Sequence, residues 1–213
     1  MTLPALPKPA ALLCDMDGTL VDTEHPWLEV VAALLTEHGI EPTPDTLAPF
    51  AGAAIDTAAA LFADRHGVTG TAQRLDREFT ELVAAGVSAQ PGAMRLLDRA
   101  RELGVPVALV TASERKVADL VLKGLGAERF AASVTQGETE RGKPHPDPYL
   151  AAARALGADP AQCLAVEDTP TGAQAALAAG CRLLAVPSVP GIEPGPRTYL
   201  YASLEDVRIA EAP

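Results

Sequence analysis

Aromatic side chains are scarce in this 213-residue chain, 4% of it against a hydrophobic content of 48%. Alanine fills much of the difference, so the helices are expected to pack closely. Cysteine is almost absent. Cys14, Cys163 and Cys181 are odd in number and lack metal-ligand spacing, which sets aside a thiolate metal centre. They fit a reducing, cytoplasmic setting in which thiols act as small buried hydrophobes. No uninterrupted apolar run reaches the length of a membrane span, and the opening MTLPALPKP lacks the charged and apolar regions of a secretory signal. Basic residues are outnumbered, 17 to 28, for a net charge of −11. Such a surface repels nucleic-acid phosphates and anionic lipid, so neither nucleic acid nor membrane is an expected partner. An anionic small molecule stays compatible where a few cations converge.

Five short apolar runs punctuate the chain: Ala10–Cys14, Val105–Val110, Ala132–Thr135, Cys163–Val166 and Leu183–Val186. Helical patterns separate most of them, at Pro91–Leu103, Glu114–Leu122, Pro148–Leu156 and Thr171–Ala179. Strand alternating with helix predicts an α/β fold with a parallel sheet covered on both faces. Thr23 to Ala89 carries no strand signal but holds helical patterns at Pro26–His38, Asp56–His66 and Thr71–Ala85. A βαβ crossover needs far fewer residues, so this stretch reads as an inserted helical domain. The expected division is a core of residues 1–22 and 90–213 around an insert of 23–89. Its hinges fall near Val21–His25 and Gly86–Pro91. The 19 prolines gather at the N-terminus, near 42–49, around 144–148 and at 187–196, marking turns or loops.

The densest chemical signal is Cys14-Asp15-Met16-Asp17-Gly18-Thr19-Leu20. Two carboxylates stand one residue apart at a strand's carboxyl end, where open α/β sheets bind ligands. They repel each other unless a cation or a shared proton relieves them, which suggests Mg²⁺ and phosphoryl chemistry. Gly18 frees the backbone to turn, and Thr19 offers a donor. After the Val105–Val110 run, Thr111-Ala112-Ser113 supplies hydroxyls and backbone N–H groups suited to phosphate, although helix capping is a commoner use for the hydroxyls. Gly142-Lys143-Pro144-His145-Pro146-Asp147-Pro148 fixes one lysine among prolines, and Glu167-Asp168 forms a second acidic pair after another strand.

This set suffices for in-line attack on a phosphate. Asp15 is the expected nucleophile, forming an aspartyl-phosphate. Asp17 is the expected acid toward the leaving alcohol and base toward water. Lys143 neutralises phosphate oxygens, and Thr111 holds one of them. Thr111, Ala112, Ser113 and Lys143 are therefore the candidate phosphate-binding residues.

The ordered set Asp15-x-Asp17-Gly18-Thr19-Leu20, Thr111, Lys143 and Glu167-Asp168 resembles the four motifs of the haloacid-dehalogenase superfamily. The insert resembles its helical type 1 cap. GKPHPDPYL and VEDTPTGAQAALAAG resemble the subgroup of β-phosphoglucomutase, phosphoglycolate phosphatase and small sugar-phosphate phosphatases. The resemblance implies a Rossmann-like core and a mobile cap. It also implies Mg²⁺ held by the Asp15 and Asp168 side chains and the Asp17 carbonyl, with Glu167 as a ligand or one water removed. The expected activity is Mg²⁺-dependent hydrolysis of a small phosphorylated metabolite, such as a sugar or polyol phosphate, by a monomer or weak homodimer.

Three other readings each call for residues or lengths that this chain does not match. Similar phosphomutases carry a histidine five positions after the aspartate matching Asp22, where this chain has Trp27, and a cap arginine in a region that here, Gly52 to Leu61, has no cation. A non-hydrolytic phospho-acceptor, similar to a receiver domain, needs neither the insert nor Asp17. Metal-independent dehalogenases of the superfamily lack the second aspartate. His38 and His66 suit helix ends and His145 a loop contact. Glu24 and His25 fall on the connection into the insert, and Trp27 suits a core role.

Overall fold

In chain order, the computed structural model, which describes residues 5–211, places β1 (Leu12–Cys14), β2 (Val21–Asp22), α1 (Glu24–Glu37), α2 (Pro44–Leu47), α3 (Ile55–His66), α4 (Ala72–Ala85) and β3 (Ser88–Ala89) in the first half. The second half contains α5 (Ala93–Glu102), β4 (Val107–Val110), α6 (Arg115–Leu125), β5 (Ala132–Val134), α7 (Asp147–Ala155), β6 (Leu164–Glu167), α8 (Pro170–Ala178), β7 (Arg182–Ala185) and β8 (Thr198–Leu200). The chain separates into two compact units, one running to Val21 and resuming at Ala89, the other Asp22–Ser88.

The first unit is built on a six-stranded sheet of order β5-β4-β1-β6-β7-β8, with every pairing parallel. The five expected strands are all present, within two residues of their apolar runs. β8 is an addition inside the proline-rich 187–196 region's continuation: an edge strand paired on one side only, too short for its alternation to stand out. Sheet order matters more than length here. β1 lies between β4 and β6, with Cys14 opposite both Leu109 and Val166. The carboxyl ends of three strands distant in sequence therefore sit side by side, where the strand order reverses direction and ligands bind in such sheets.

Small residues set the layer spacing. Ala152 and Ala153 of α7 and Ala173, Ala175 and Ala176 of α8 pack with Leu13, Ala108, Val110 and Ala165 of the sheet in one core. With almost no aromatic bulk to accommodate, the helix backbones approach the strands closely. Tyr149 is the exception, a full-sized aromatic with no exposed surface in that alanine-rich layer.

The second unit buries a separate core of Trp27, Val30, Val31, Leu34, Leu35, Phe50, Ala58, Phe62 and Leu75. Trp27 is a core residue: its Nε1 donates to the Phe50 carbonyl at 2.7 Å, and its ring meets Phe79 edge-on at 5.7 Å. Glu24 and His25 lie in the first turn of α1 rather than on a connection. The Asp22 carboxylate receives the His25 N–H at 3.1 Å, which begins the helix earlier than Pro26 suggests. Both Glu24 carboxylate oxygens accept from the Gly52 N–H, at 3.1 and 3.2 Å. The His38 ring bonds the Leu34 carbonyl at 2.9 Å, a structural contact at a helix end.

Candidate active site

Asp15 follows β1 directly, and its N–H continues the sheet ladder to the Val166 carbonyl at 2.9 Å. That bond fixes the carboxylate against the end of β6. The chain then reverses: Gly18 N–H reaches the Val21 carbonyl at 2.8 Å, with Gly18 at φ +79°. Glycine is required here twice over. A side chain is strained at that φ, and a Cβ would stand 2.3 Å from Asp168 Oδ2. The turn also aims Thr19 inward, and its hydroxyl donates to Asp168 Oδ1 at 3.0 Å.

Glu167 and Asp168 close the other side. Glu167 is fully buried and Asp168 nearly so. The Glu167 carboxylate lies over the start of α8, where Thr169 caps the helix by accepting the Gly172 N–H at 3.2 Å and Pro170 opens it. A Cβ on Gly172 would lie 1.9 Å from Glu167 Oε1. Two glycines thus make room for two carboxylates.

Lys143 reaches across from the proline-rich loop. Its ammonium donates to Asp15 Oδ1 at 2.5 Å, Glu167 Oε1 at 2.7 Å and the Val110 carbonyl at 2.9 Å. Three donors meet three acceptors, so its hydrogen-bonding capacity is used in full. Burial alone lowers the affinity of Lys143 for its proton, but the Asp15 and Glu167 carboxylates outweigh it and hold the ammonium above its usual range. Asp15 is raised well above the usual carboxylate range by burial, opposed by Lys143 and reinforced by Glu167, Asp17 and Asp168. Asp168 is raised too, by burial, against hydrogen bonds from Ser188 and Thr19.

One ammonium therefore faces three carboxylates, those of Asp15, Glu167 and Asp168, with an oxygen from each lying within 4.8 Å of the others. Carboxylates outnumber cations three to one there, a deficit of positive charge in a buried site. An all-oxygen donor set with that deficit fits a hard divalent cation such as Mg²⁺.

The Asp17 carboxylate turns away from this cluster. Its Oδ2 accepts from the Thr111 hydroxyl at 3.0 Å and the Ser113 hydroxyl at 2.8 Å. The two hydroxyls expected at phosphate thus hold Asp17. Capping does not explain Ser113 either: the cap position of α6 is Glu114, and the Ser113 hydroxyl is directed at Asp17. Its N–H is spent on Thr111 Oγ1 at 3.0 Å, while Ala112 is exposed on the loop between them. His145 makes a backbone turn to Gly142, in keeping with a loop residue.

Tyr149 escaped sequence reasoning. Its hydroxyl donates to Glu167 Oε1 at 2.5 Å, and Lys143 Nζ lies 5.3 Å from its ring centroid. The available signal was a tyrosine, one of three in the chain, at the first turn of an alanine helix six positions after the lysine. The role of Gly172 was equally hidden, because a small residue in a helix start reads as ordinary.

The haloacid dehalogenase-like hydrolase family matches residues 9–180. Hexitol phosphatase A of Escherichia coli (strain K12) is 34% identical over 214 residues, covering 94% of each chain. Validoxylamine A 7'-phosphate phosphatase of Streptomyces hygroscopicus subsp. limoneus is 34% identical over 176 residues, covering 79% of this chain and 81% of its own. Among solved structures, a HAD family hydrolase from Deinococcus radiodurans R1 with bound phosphate and sodium is similar at a TM-score of 0.71 and 32% identity, over 95% of this chain and 91% of that one. No helix among the described residues is long and apolar enough to cross a membrane. With matched residues running from ahead of β1 through α8, the chain belongs to the haloacid dehalogenase-like hydrolases.

Proposed function

We propose that the protein hydrolyses the phosphate monoester of a small polyhydroxylated metabolite, a hexitol or sugar phosphate, with Asp15 as nucleophile. The observation that carries this reading is the junction of Asp15, Lys143, Glu167 and Asp168 at the adjoining ends of β1 and β6. Relatives named for hexitol and validoxylamine phosphates support the substrate class.

Lys143 engages Asp15 Oδ1, so Oδ2 is the oxygen directed at phosphorus. Its attack forms the aspartyl-phosphate and breaks the bond to the leaving alcohol. Asp17 gives that alcohol its proton and then takes one from the water that cleaves the intermediate. Thr111 and Ser113, which grip Asp17 at Oδ2, orient it for both transfers and are exchanged in part for phosphate oxygens when substrate enters. Lys143 offsets charge on the transferring phosphoryl group. The side chains of Asp15 and Asp168 and the Asp17 carbonyl, with Glu167 directly or through water, would hold Mg²⁺, which when bound would supply further charge neutralisation at phosphate oxygens. The inserted unit acts as the cap that selects substrate. The buried thiols suit the cytoplasm.

Hydrolysis is preferred over phosphoryl transfer between sugars because Trp27, at the position where similar mutases carry histidine, is committed to the core of the inserted unit. The test is phosphate release from hexitol phosphates, sugar phosphates, phosphoglycolate and nucleotides in the presence of Mg²⁺. A hexitol or sugar monophosphate is expected to be turned over, and Asp15→Asn to lower kcat by more than about 100-fold with the fold retained. Residual turnover above about a hundredth of wild type removes Asp15 as nucleophile.

A further inference from the structure

We infer that Tyr149 is a positioning residue for Lys143, acting through the Glu167 carboxylate. This rests on the hydrolase reading for its kinetic consequence, though not for its geometry.

Lys143 sits in a tug between two anions. Asp15 Oδ1 and Glu167 Oε1 accept from the same ammonium at 2.5 and 2.7 Å, and where Nζ settles depends on how much negative charge each carboxylate presents. Glu167 is the better buried of the two and, left alone with the ammonium, would draw it away from Asp15. Tyr149 counters that pull. Its hydroxyl donates at 2.5 Å to Oε1, the oxygen that Lys143 uses, and so shares out the charge there. The remaining oxygen receives only a long contact from Thr169 Oγ1 at 3.4 Å. Among the described residues, no other hydroxyl bonds Oε1.

The tyrosine is anchored for this task. It has no exposed surface and lies in α7, which packs on β4, β5 and β1 through Ala152 and Ala153. Its ring also faces the ammonium at 5.3 Å, within cation–π range. Lys143 thus rides on a flexible four-carbon stem, while Tyr149 fixes the far end of its contact network from a rigid helix. The absent Cβ of Gly172 lets the carboxylate lie where both donors reach it.

Tyr149→Phe keeps the ring and removes only the hydroxyl. With a substrate found by the phosphate-release screen, kcat is expected to fall about tenfold, equivalent to ~1.4 kcal/mol of barrier, while KM stays within about twofold. A crystal structure of the variant should show Lys143 Nζ withdrawn from Asp15 toward Glu167. In the wild type, the Tyr149 hydroxyl proton should appear as a slowly exchanging, downfield resonance missing from the variant. Unchanged kcat, unchanged Lys143 contacts or absence of that resonance in the wild type overturns the assignment. A wild type that hydrolyses no phosphomonoester defeats the hydrolase reading instead, and the crystallographic and resonance measurements still decide where Tyr149 places Lys143.

Discussion

Replacing Gly172 by alanine isolates the packing that seats Glu167. Gly172 lies in the first turn of α8 at an ordinary helical φ, so in the absence of neighbours alanine is the better residue, by about 0.5–1 kcal/mol. The added Cβ would meet Glu167 Oε1, Cδ and Oε2 at 1.9–2.0 Å. A side-chain tip ordinarily swings aside from such a clash at little cost. This one cannot, because Glu167 is fully buried and bound by Lys143 and Tyr149. Either α8 shifts, an overpacking cost of about 1–3 kcal/mol, or the carboxylate leaves its charged donor, a loss of about 1.5–3 kcal/mol. The chain takes the cheaper route; at the middle of its range, about 2 kcal/mol, less a helical gain of about 0.5–1, the net destabilisation is about 1–1.5 kcal/mol. For a chain of this length that lowers Tm by about 2–6 °C. Gly124→Ala is the matched control: it also lies in a helix, with nothing within 4 Å of the added Cβ, and should be neutral or mildly stabilising. Thermal scans of both variants, and of Gly172→Ala combined with Glu167→Ala, measure the clash directly. In the Glu167→Ala background the alanine at 172 should cost nothing. A Gly172→Ala protein as stable as wild type, or one equally destabilised without the carboxylate, refutes the reasoning.

Acid sensitivity and thiol reactivity offer two further checks. Burial works to raise Glu138, but hydrogen bonds from Arg115, at 2.6 Å, and from Thr135 outweigh it and hold its carboxyl below the usual range. Such a group adds stability above its unfolded pKa, and the gain is lost as pH falls through the folded one. Because both partners are about 40% exposed, the contribution is about 0.5 kcal/mol. Glu138→Gln should cost that much near pH 7 in chemical denaturation, with the gap closing as pH falls below the ordinary carboxylate range. A gap that does not close on acidification contradicts the pairing. Burial also pushes the thiols up, Cys163 to about 11 and Cys181 to about 12. A thiol reagent at pH 8 should leave the native protein unlabelled and modify all three cysteines only after denaturation. Rapid native labelling is the contrary result.

Most of the candidate site residues are legible because they stand just after a run whose apolarity marks it as a buried strand. Asp15 follows Cys14, Thr111 follows Val110, and Asp168 follows the strand ending at Glu167. A parallel sheet makes every strand's carboxyl end face the same way, so strand identity alone predicts a shared edge. Lys143 required the motif order, since nothing local distinguishes it from a surface lysine. The short edge strand β8 and the early start of α1 gave no comparable signal. One has a single pairing partner, and the other depends on an Asp22 side-chain bond that periodicity does not register.

By itself, then, the sequence determined the alternation of strand and helix, the helical insertion, and the placement of acidic and hydroxyl groups at strand ends. These are properties of local burial and turn chemistry, written within a few residues. Tertiary structure alone decided who touches whom across 24 to 149 positions: Thr111 and Ser113 on Asp17, Thr19 on Asp168, Lys143 between Asp15 and Glu167. Those contacts follow from β1 lying between β4 and β6, and from two glycines whose missing side chains leave space for carboxylates. Adjacency in a sheet and the volume an absent atom vacates are both relations between distant segments, and no local pattern encodes them.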